Sequence, residues 1–352
     1  MLGLAGIPLG VRFTFFDPTP DAPAAAVGDH IVADYEDTSA LDTFCDSVDV
    51  VTYEFENVPV VAAEYVAARR PVWPPPRTLH VAQDRVHEKE CFRALSIPTA
   101  PFAPVDTLDD LRRAVETLGA PGILKTRRLG YEGKGQARIA SLDAVETAWN
   151  AIGGVPLVYE GFVSFTRELS VLAVRARDGT TAFYPLVENH HSEGILRLSI
   201  APADGVDATM RACAEAYATR VLESLGYVGV LAIELFDTPN GLVANEMAPR
   251  VHNSGHWSIE GAETSQFENH VRAVCGLPLG ATRPWGHAAM LNIIGTIPDA
   301  HDVLAMSHTH LHLYDKREAP RRKLGHVTVC ADDAALVHDR VTALRRVLAR
   351  DA

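Results

Sequence analysis

At 352 residues the chain exceeds what one ordinary hydrophobic core supports, so two or three domains are expected. Its formal net charge of −13 argues against a nucleic-acid partner, and any anionic ligand must be met by a local cluster of cations. A hydrophobic content of 47% with no run of membrane-spanning length, and no cationic stretch before an apolar core at the start, describes a globular soluble protein without a signal peptide.

From the start to about residue 75, short apolar strands (Val11–Phe16, Val48–Tyr53) alternate with helical patterns such as Val58–Arg70, which predicts a βαβ unit. The proline-rich stretch from Pro71 to Pro76 breaks regular structure. A helix is predicted over Val81–Leu95, ending before Ile97 and Pro98. Helix and strand alternate again from Asp106 to Ile152 around a glycine-rich loop. Strands dominate from Leu157 to Pro249, interrupted by a long helix near Asp207–Leu225. The tail from about Arg283 returns to strands and closes with an amphipathic helix near Ala334–Ala349. These patterns divide the chain into 1–80, 81–275 (with a lid subdomain at about 96–158) and 276–352.

The most informative stretch runs from Val230 to Arg250: two apolar strands joined by a Pro239-Asn240-Gly241 turn, each carrying one carboxylate, Glu234 and Glu246. A register setting the two acids opposite or diagonal to one another puts both on one face. Like charges on a buried surface need a cation between them, and few hard oxygen ligands suit Mg²⁺ held jointly with nucleotide phosphates. Directly after Glu246 come Arg250, His252, Asn253, Ser254 and His256, a dense set of donors suited to a small oxyanion. Upstream, a short strand delivers Lys125 to a loop with Gly130, Gly133 and Gly135, whose exposed N–H groups can close over a polyphosphate. That loop matches neither the Walker spacing nor the Rossmann fingerprint. Glu160 and Glu168 flank a kink between strands that can offer groups to an adenine edge and to ribose hydroxyls. Near the end, Lys316, Arg317, Arg321, Arg322 and Lys323 form either a phosphate pocket or a solvated turn. The His308-Thr-His-Leu-His312 run invites a metal reading, but strand packing is the simpler one. The five cysteines are scattered with no Cys-x-x-Cys pair, which argues against disulfides or a zinc site and fits a cytoplasmic protein.

Taken together, these stretches resemble the ATP-grasp superfamily, and within it the N5-carboxyaminoimidazole ribonucleotide synthase family. The resemblance is carried by Thr52–Val58, Gln83-Asp-Arg85, Lys125, Gly130–Gln136, His191–Arg197, Glu234, Asn245-Glu246, Ala248–Trp257 and Tyr314-Asp-Lys316, in the family's order across nearly the whole chain. It implies a mixed α/β and α+β fold: an ATP-grasp domain behind an N-terminal βαβ pre-ATP-grasp domain, and a small β-rich C-terminal domain. It also implies an ATP-dependent carbon–nitrogen ligase of purine biosynthesis. ATP would phosphorylate bicarbonate to carboxyphosphate, whose carboxyl group the amine of 5-aminoimidazole ribonucleotide captures.

By matching position, the resemblance gives Arg85 and Lys125 to the ATP phosphates, with Gly130, Tyr131, Glu132, Gly133, Lys134, Gly135 and Gln136 as the lid. Glu160, Gly161, Phe162 and Val163 would hold adenine, and Glu168 the ribose. His191, Asn245 and Glu246 would complete the nucleotide site, with Glu234 and Glu246 as the Mg²⁺ ligands. Arg250, His252, Asn253, Ser254 and Lys316 would be catalytic. Glu56, Tyr131, Glu132, Lys134, Lys316, Arg322 and Lys323 would bind the ribonucleotide. Two departures stand out. The lid has Glu132 and Lys134 where many relatives have Asp and Arg. Relatives also open with a strand and a Gly-x-Gly-Gln-Leu-Gly-type loop ahead of the segment matching Met1–Gly6. The resemblance therefore implies that the first strand, the glycine-rich loop and part of the ribonucleotide pocket are missing, with poor solubility and weak substrate binding expected. The rival readings are another ATP-grasp ligase, such as the formate-dependent glycinamide ribonucleotide transformylase, and a nucleotide-binding protein without turnover. Relatives point to a homodimer, with neither membrane nor nucleic acid as partner.

Overall fold

The structure, a computed structural model, describes residues 1–130 and 135–348. After a helix Leu2–Gly6, strands β1 (Thr14–Phe16) and β2 (Asp29–Ile31) pair in parallel, and helices Thr38–Ser47 and Val60–Ala67 pack beside them. The strand predicted over Val11–Phe16 forms only in its second half. The one predicted over Val48–Tyr53 is reduced to a parallel bridge between Val51 and Val72. A cavity of about 870 Å³ lies in this unit, lined by Phe13, Phe15, Val50, Thr52 and Val66 among others.

The single helix predicted over Val81–Leu95 is two helices, Pro76–Ala82 and Arg85–Ala94. Asp84 causes the break. Its short carboxylate caps the second helix by accepting from Val86 N at 3.0 Å, and it also pairs with Arg127 at 2.8 Å. Apolar periodicity runs through such a junction unchanged, so it could not locate the cap.

Four antiparallel strands follow: β3 (Phe102–Val105), β4 (Gly122–Thr126), β5 (Gln136–Ile139) and β6 (Leu157–Gly161), ordered β3-β6-β4-β5. Helices Leu108–Leu118, opened by a Thr107/Asp110 capping box, and Val145–Ile152 bury Leu111, Val115 and Val145 against this sheet. The remaining strands are β7 (Arg167–Arg175), β8 (Thr181–Phe183), β9 (Val187–Ser192), β10 (Ile195–Ala201), β11 (Gly229–Thr238) and β12 (Gly241–Ala248), then β13 (His287–Ile294), β14 (Thr309–Leu313) and β15 (Lys323–Ala331). They form one sheet in the order β12-β11-β7-β9-β10-β13-β15-β14, with β8 beside β7.

The boundary expected at residue 275 therefore does not interrupt the sheet. β10 pairs directly with β13, so the C-terminal strands extend the scaffold that carries the Glu234/Glu246 hairpin. Helix Ala208–Leu225, capped by Asp207, buries Val221 and Leu222 with Leu231, Ile233 and Leu235 of β11. β11 consequently reads as a near-continuous apolar run rather than an alternating one. Helix Ala334–Leu348 covers β13 and β15 through Val337, Val341 and Leu344. Among the described residues, no helix is long and apolar enough to cross a membrane.

Candidate active site

The hairpin β11–β12 turns through Pro239 and Asn240, with Gly241 at φ +107° and Thr238 paired to Gly241. Its register places Glu234 directly opposite Glu246. A β-bulge follows at once, because Leu235 pairs with Ala244 and Asn245 is the extra residue. The bulge re-aims Asn245, whose side chain hydrogen-bonds Glu234. Burial, then the Glu246 charge, pushes the Glu234 carboxyl up to about 8. This pair is costly as built, and a divalent cation is what would relieve it. Oxygen ligands from Glu234, Glu246 and Asn245 form the hard donor set that suits Mg²⁺.

One edge of β12 is covered by helix Arg85–Ala94. Glu88 Oε1 accepts from Met247 N at 2.6 Å, Lys89 Nζ donates to Asn245 O at 3.3 Å, and Ala244 N donates to Pro98 O at 2.7 Å. Burial, then Glu246, raises Glu88 to about 8. Arg85, from the same helix, reaches Glu246 at 3.9 Å and Gly130 O at 3.3 Å. It thus stands where hairpin and glycine loop meet.

Lys125 sits on β4 opposite Gln136, and Gly135 O accepts from Thr126 N at 2.8 Å. Tyr131, Glu132, Gly133 and Lys134 lie outside the described residues. Lys125 Nζ meets Glu160 Oε2 at 3.0 Å, and Lys89 Nζ meets the same oxygen at 3.3 Å. Burial alone would raise Glu160, but these two ammonium groups outweigh it and hold the carboxyl below its usual range. The other oxygen, Oε1, is buried and has no partner among the described residues, an acceptor suited to an exocyclic amine. Beyond it, Gly161 N and Phe162 N bond Pro101 O and Pro121 O, while Phe162 is exposed and Val163 half-buried.

Glu168 at the start of β7 pairs with His191 of β9 at 3.0 Å, and their ligand atoms with those of Glu234 lie within 4.8 Å of one another. Burial would lower His191, but contact with Glu168 and the charges of Glu234 and Glu246 raise it instead.

On the far side of Glu234, His252 Nε2 lies 3.5 Å from its carboxylate and Nδ1 lies 2.8 Å from Ser254 Oγ. Burial, then the Arg250 and Lys323 charges, pushes His252 well below the usual histidine range, so it is neutral. Gln266, absent from the sequence reading, clamps this loop: Oε1 accepts from His252 N at 2.9 Å and Nε2 donates to His252 O at 2.6 Å. The clamp needs Gly255, where a Cβ would lie 2.6 Å from the Gln266 amide. Asn253 Oδ1 is buried without a partner among the described residues. Arg250 Nε donates to Glu56 Oε2, and despite burial that contact keeps the Glu56 carboxyl below its usual range. Gln83 Nε2 fixes the Glu56 segment through Glu56 O at 2.8 Å and Val58 O at 2.7 Å.

The C-terminal cations approach the same loop. Lys316 and Lys323 ammonium groups each lie 5.7 Å from the Tyr314 ring. Arg322 is exposed and bonds Arg317 O at 3.3 Å, and Arg321 pairs with Glu193 at 3.2 Å. His308 precedes β14 at φ +64°, His310 is exposed and His312 packs on His326, so the run is not one metal-binding face.

The sequence reading also missed Lys89, whose side chain is 2% exposed. A cation at the apolar spacing of Val86 and Phe92 was the available signal. For Gln266 no local signal exists.

Comparison with known proteins shows the family to which the chain belongs. Three family models match: the ribonucleotide synthetase preATP-grasp domain over 1–83, the ATP-grasp domain over 90–267, and the phosphoribosylaminoimidazole carboxylase C-terminal domain over 288–340. The N5-carboxyaminoimidazole ribonucleotide synthase of Pseudomonas aeruginosa is 53% identical, over 96% of this chain and 93% of that protein. A crystal structure of the synthetase from Thermus thermophilus superposes with a TM-score of 0.95 at 52% identity, covering 99% of this chain and 95% of that one. The Aspergillus clavatus synthase, solved with ADP and 5-aminoimidazole ribonucleotide, gives 0.92 at 30% identity, covering 99% and 95%. The chain belongs to the N5-carboxyaminoimidazole ribonucleotide synthase family of the ATP-grasp superfamily.

Proposed function

We infer that this chain is an ATP-dependent carbon–nitrogen ligase that carboxylates 5-aminoimidazole ribonucleotide with bicarbonate, giving N5-carboxyaminoimidazole ribonucleotide, ADP and phosphate in purine biosynthesis. The observation that carries the reading is Glu234 opposite Glu246, with Arg250, His252, Asn253 and Ser254 on the adjoining loop. Glu234 and Glu246 hold Mg²⁺, which when bound neutralises phosphoryl charge. The oxygen pair is preferred for Mg²⁺ over the Glu168–His191–Glu234 set because an imidazole ligand favours softer metals and His191 is already engaged with Glu168.

Lys125 and Arg85 meet the phosphates, the free oxygen of Glu160 accepts from the adenine amine, and Glu168 with His191 takes the ribose side. Bicarbonate lies against Arg250 and the 252–254 loop. The Arg250 fork and the Asn253 amide hold its oxygens while phosphoryl transfer makes carboxyphosphate. Neutral His252, poised between Ser254 and Glu234, can take the proton released when the amine captures the carboxyl group. Lys316, Arg322 and Lys323, with Glu56, hold the ribonucleotide.

The division into 1–80, 81–275 and 276–352 accompanies this reading. So do a cytoplasmic location, supported by five unpaired cysteines, and a homodimer, which light scattering checks. The deciding assay is phosphate release with bicarbonate plus 5-aminoimidazole ribonucleotide, set against formate plus glycinamide ribonucleotide. Release with the first pair alone is expected. Release with the second, or ATP binding without release under either, overturns the reading.

A further inference from the structure

One group of buried polar rings has no part in the reaction as described. His326 on β15 is fully buried, and its ring lies parallel to that of His312 on β14, with centroids 4.4 Å apart and planes at 11°. His256, from the oxyanion loop, is 5.1 Å away. His326 Nδ1 is 2.6 Å from the Tyr314 hydroxyl, while Nε2 is buried with no partner among the described residues. An apolar side chain would pack here without leaving a ring nitrogen unpaired, so a histidine kept for packing alone is the costlier solution. Burial, then the charges facing it from His312 and Lys323, keeps the ring neutral, and a neutral imidazole can accept the Tyr314 hydroxyl proton at Nδ1. On the other side, the Tyr314 ring lies 5.7 Å from both the Lys316 and the Lys323 ammonium groups. Two ammonium groups on flexible stems repel each other, and the aromatic ring attracts each of them. The ring can set their spacing only if it is itself held, and His326 is the group that holds it.

We propose that His326 and Tyr314 are positioning residues for the acceptor substrate: His326 anchors the Tyr314 hydroxyl, and the anchored ring sets the two lysine ammonium groups side by side for the ribonucleotide phosphate. This rests on assigning Lys316 and Lys323 to that substrate. The same ring stack touches the oxyanion loop through His256, so phosphate grip and carboxyl transfer share one rigid support.

The test is steady-state kinetics of Tyr314→Phe, His326→Leu and His326→Asn with Mg·ATP and bicarbonate, varying the ribonucleotide. Tyr314→Phe keeps the ring but loses the anchor, and His326→Leu loses the acceptor. Each should raise KM for the ribonucleotide about tenfold, the size of one hydrogen bond. kcat and KM for ATP should stay within about twofold. His326→Asn, whose Oδ1 can stand in for Nδ1, should restore most of the loss. An unchanged ribonucleotide KM in Tyr314→Phe overturns the proposal even if His326→Leu fails to fold. So does a parallel rise in both KM values, or Asn behaving like Leu. Lys316→Ala and Lys323→Ala separate the two levels. If they leave that KM unchanged, the substrate assignment is wrong; if they raise it while Tyr314→Phe does not, only the positioning role falls.

Discussion

Glu160→Gln removes the carboxylate that contacts two ammonium groups at once. Lys89 and Lys125 both contact Glu160 Oε2, at 3.3 Å and 3.0 Å, and their side chains are 2% and 17% exposed. Without the carboxylate, Lys89 keeps, among the described residues, the bonds to Asn245 O at 3.3 Å and Thr99 Oγ1 at 3.5 Å. A buried charge stripped of its partner costs about 3–5 kcal/mol. Two cations held at 3.0 Å and 3.3 Å by one oxygen are no further apart than about 6 Å, and at an effective dielectric near 20 they repel by at least about 2.6 kcal/mol, which is of the same order. The single variant should therefore lose about 3–5 kcal/mol in urea unfolding followed by circular dichroism. Adding Lys89→Met, which fills the space without charge, should recover most of it, because the cost lies in the unpaired cation. Lys125→Met alone should cost only about 1 kcal/mol, since Lys89 still neutralises Glu160 and Lys125 is partly solvated. A Glu160→Gln protein within about 1 kcal/mol of the parent, or a double variant no more stable than the single, refutes the reasoning.

Glu246→Ala should abolish Mg·ATP turnover without lowering the melting temperature, because that side chain is 47% exposed and its charge adds to the repulsion on Glu234 and Glu88; near-normal activity contradicts the metal assignment. Glu234, held protonated up to about 8 without a cation, must release its proton to bind one. Apparent Mg²⁺ affinity should then fall about tenfold per pH unit below about 8, and calorimetry at pH 7 in buffers of different ionisation enthalpy should show proton release. Acid stability follows from His252, His256, His270 and His326, which burial keeps neutral when folded. The unfolded chain gains these protons below about 6.5 and the fold does not, so each histidine costs stability as pH falls. Glu88 and Glu234 act oppositely, because the fold keeps their protons up to about 8 while the unfolded chain loses them above about 4.5. The cation-free protein should thus lose roughly two protons' worth, about 2.7 kcal/mol per pH unit, between about pH 6 and 5. It should also weaken from about pH 6.5 towards 8. A stability that goes on climbing from pH 6.5 to 8 would contradict the carboxylate assignment, and one that does not fall between pH 6 and 5 the histidine assignment.

The hairpin was legible because everything that makes it is local: an apolar run, a turn, and one misplaced acid on each strand. Its bulge was not, because the extra residue at Asn245 shows only in the partner register, and that register decides which side chains face the cation. The same divide separates Asp84 from Gln266. Asp84 is a helix cap that the chain announces within two residues, yet an apolar pattern running across it hid the break. Gln266 works on His252, 14 residues upstream, and leaves no trace in either segment's own pattern. The C-terminal lysines show most clearly what sequence order conceals. Read along the chain, Lys316 and Lys323 belong to a separate terminal domain, in a basic stretch that is either a phosphate pocket or a solvated turn. Because β13 continues the sheet from β10, Lys323 at the start of β15 stands on the same sheet as Glu234, and Lys316 lies in the loop that leads into it. A ligase that must deliver a short-lived carboxyl donor to an amine gains from that arrangement. With the proposed assignments, the acceptor's phosphate and the donor's oxyanion would be gripped by groups carried on one sheet, and the distance between them would not depend on a hinge between domains.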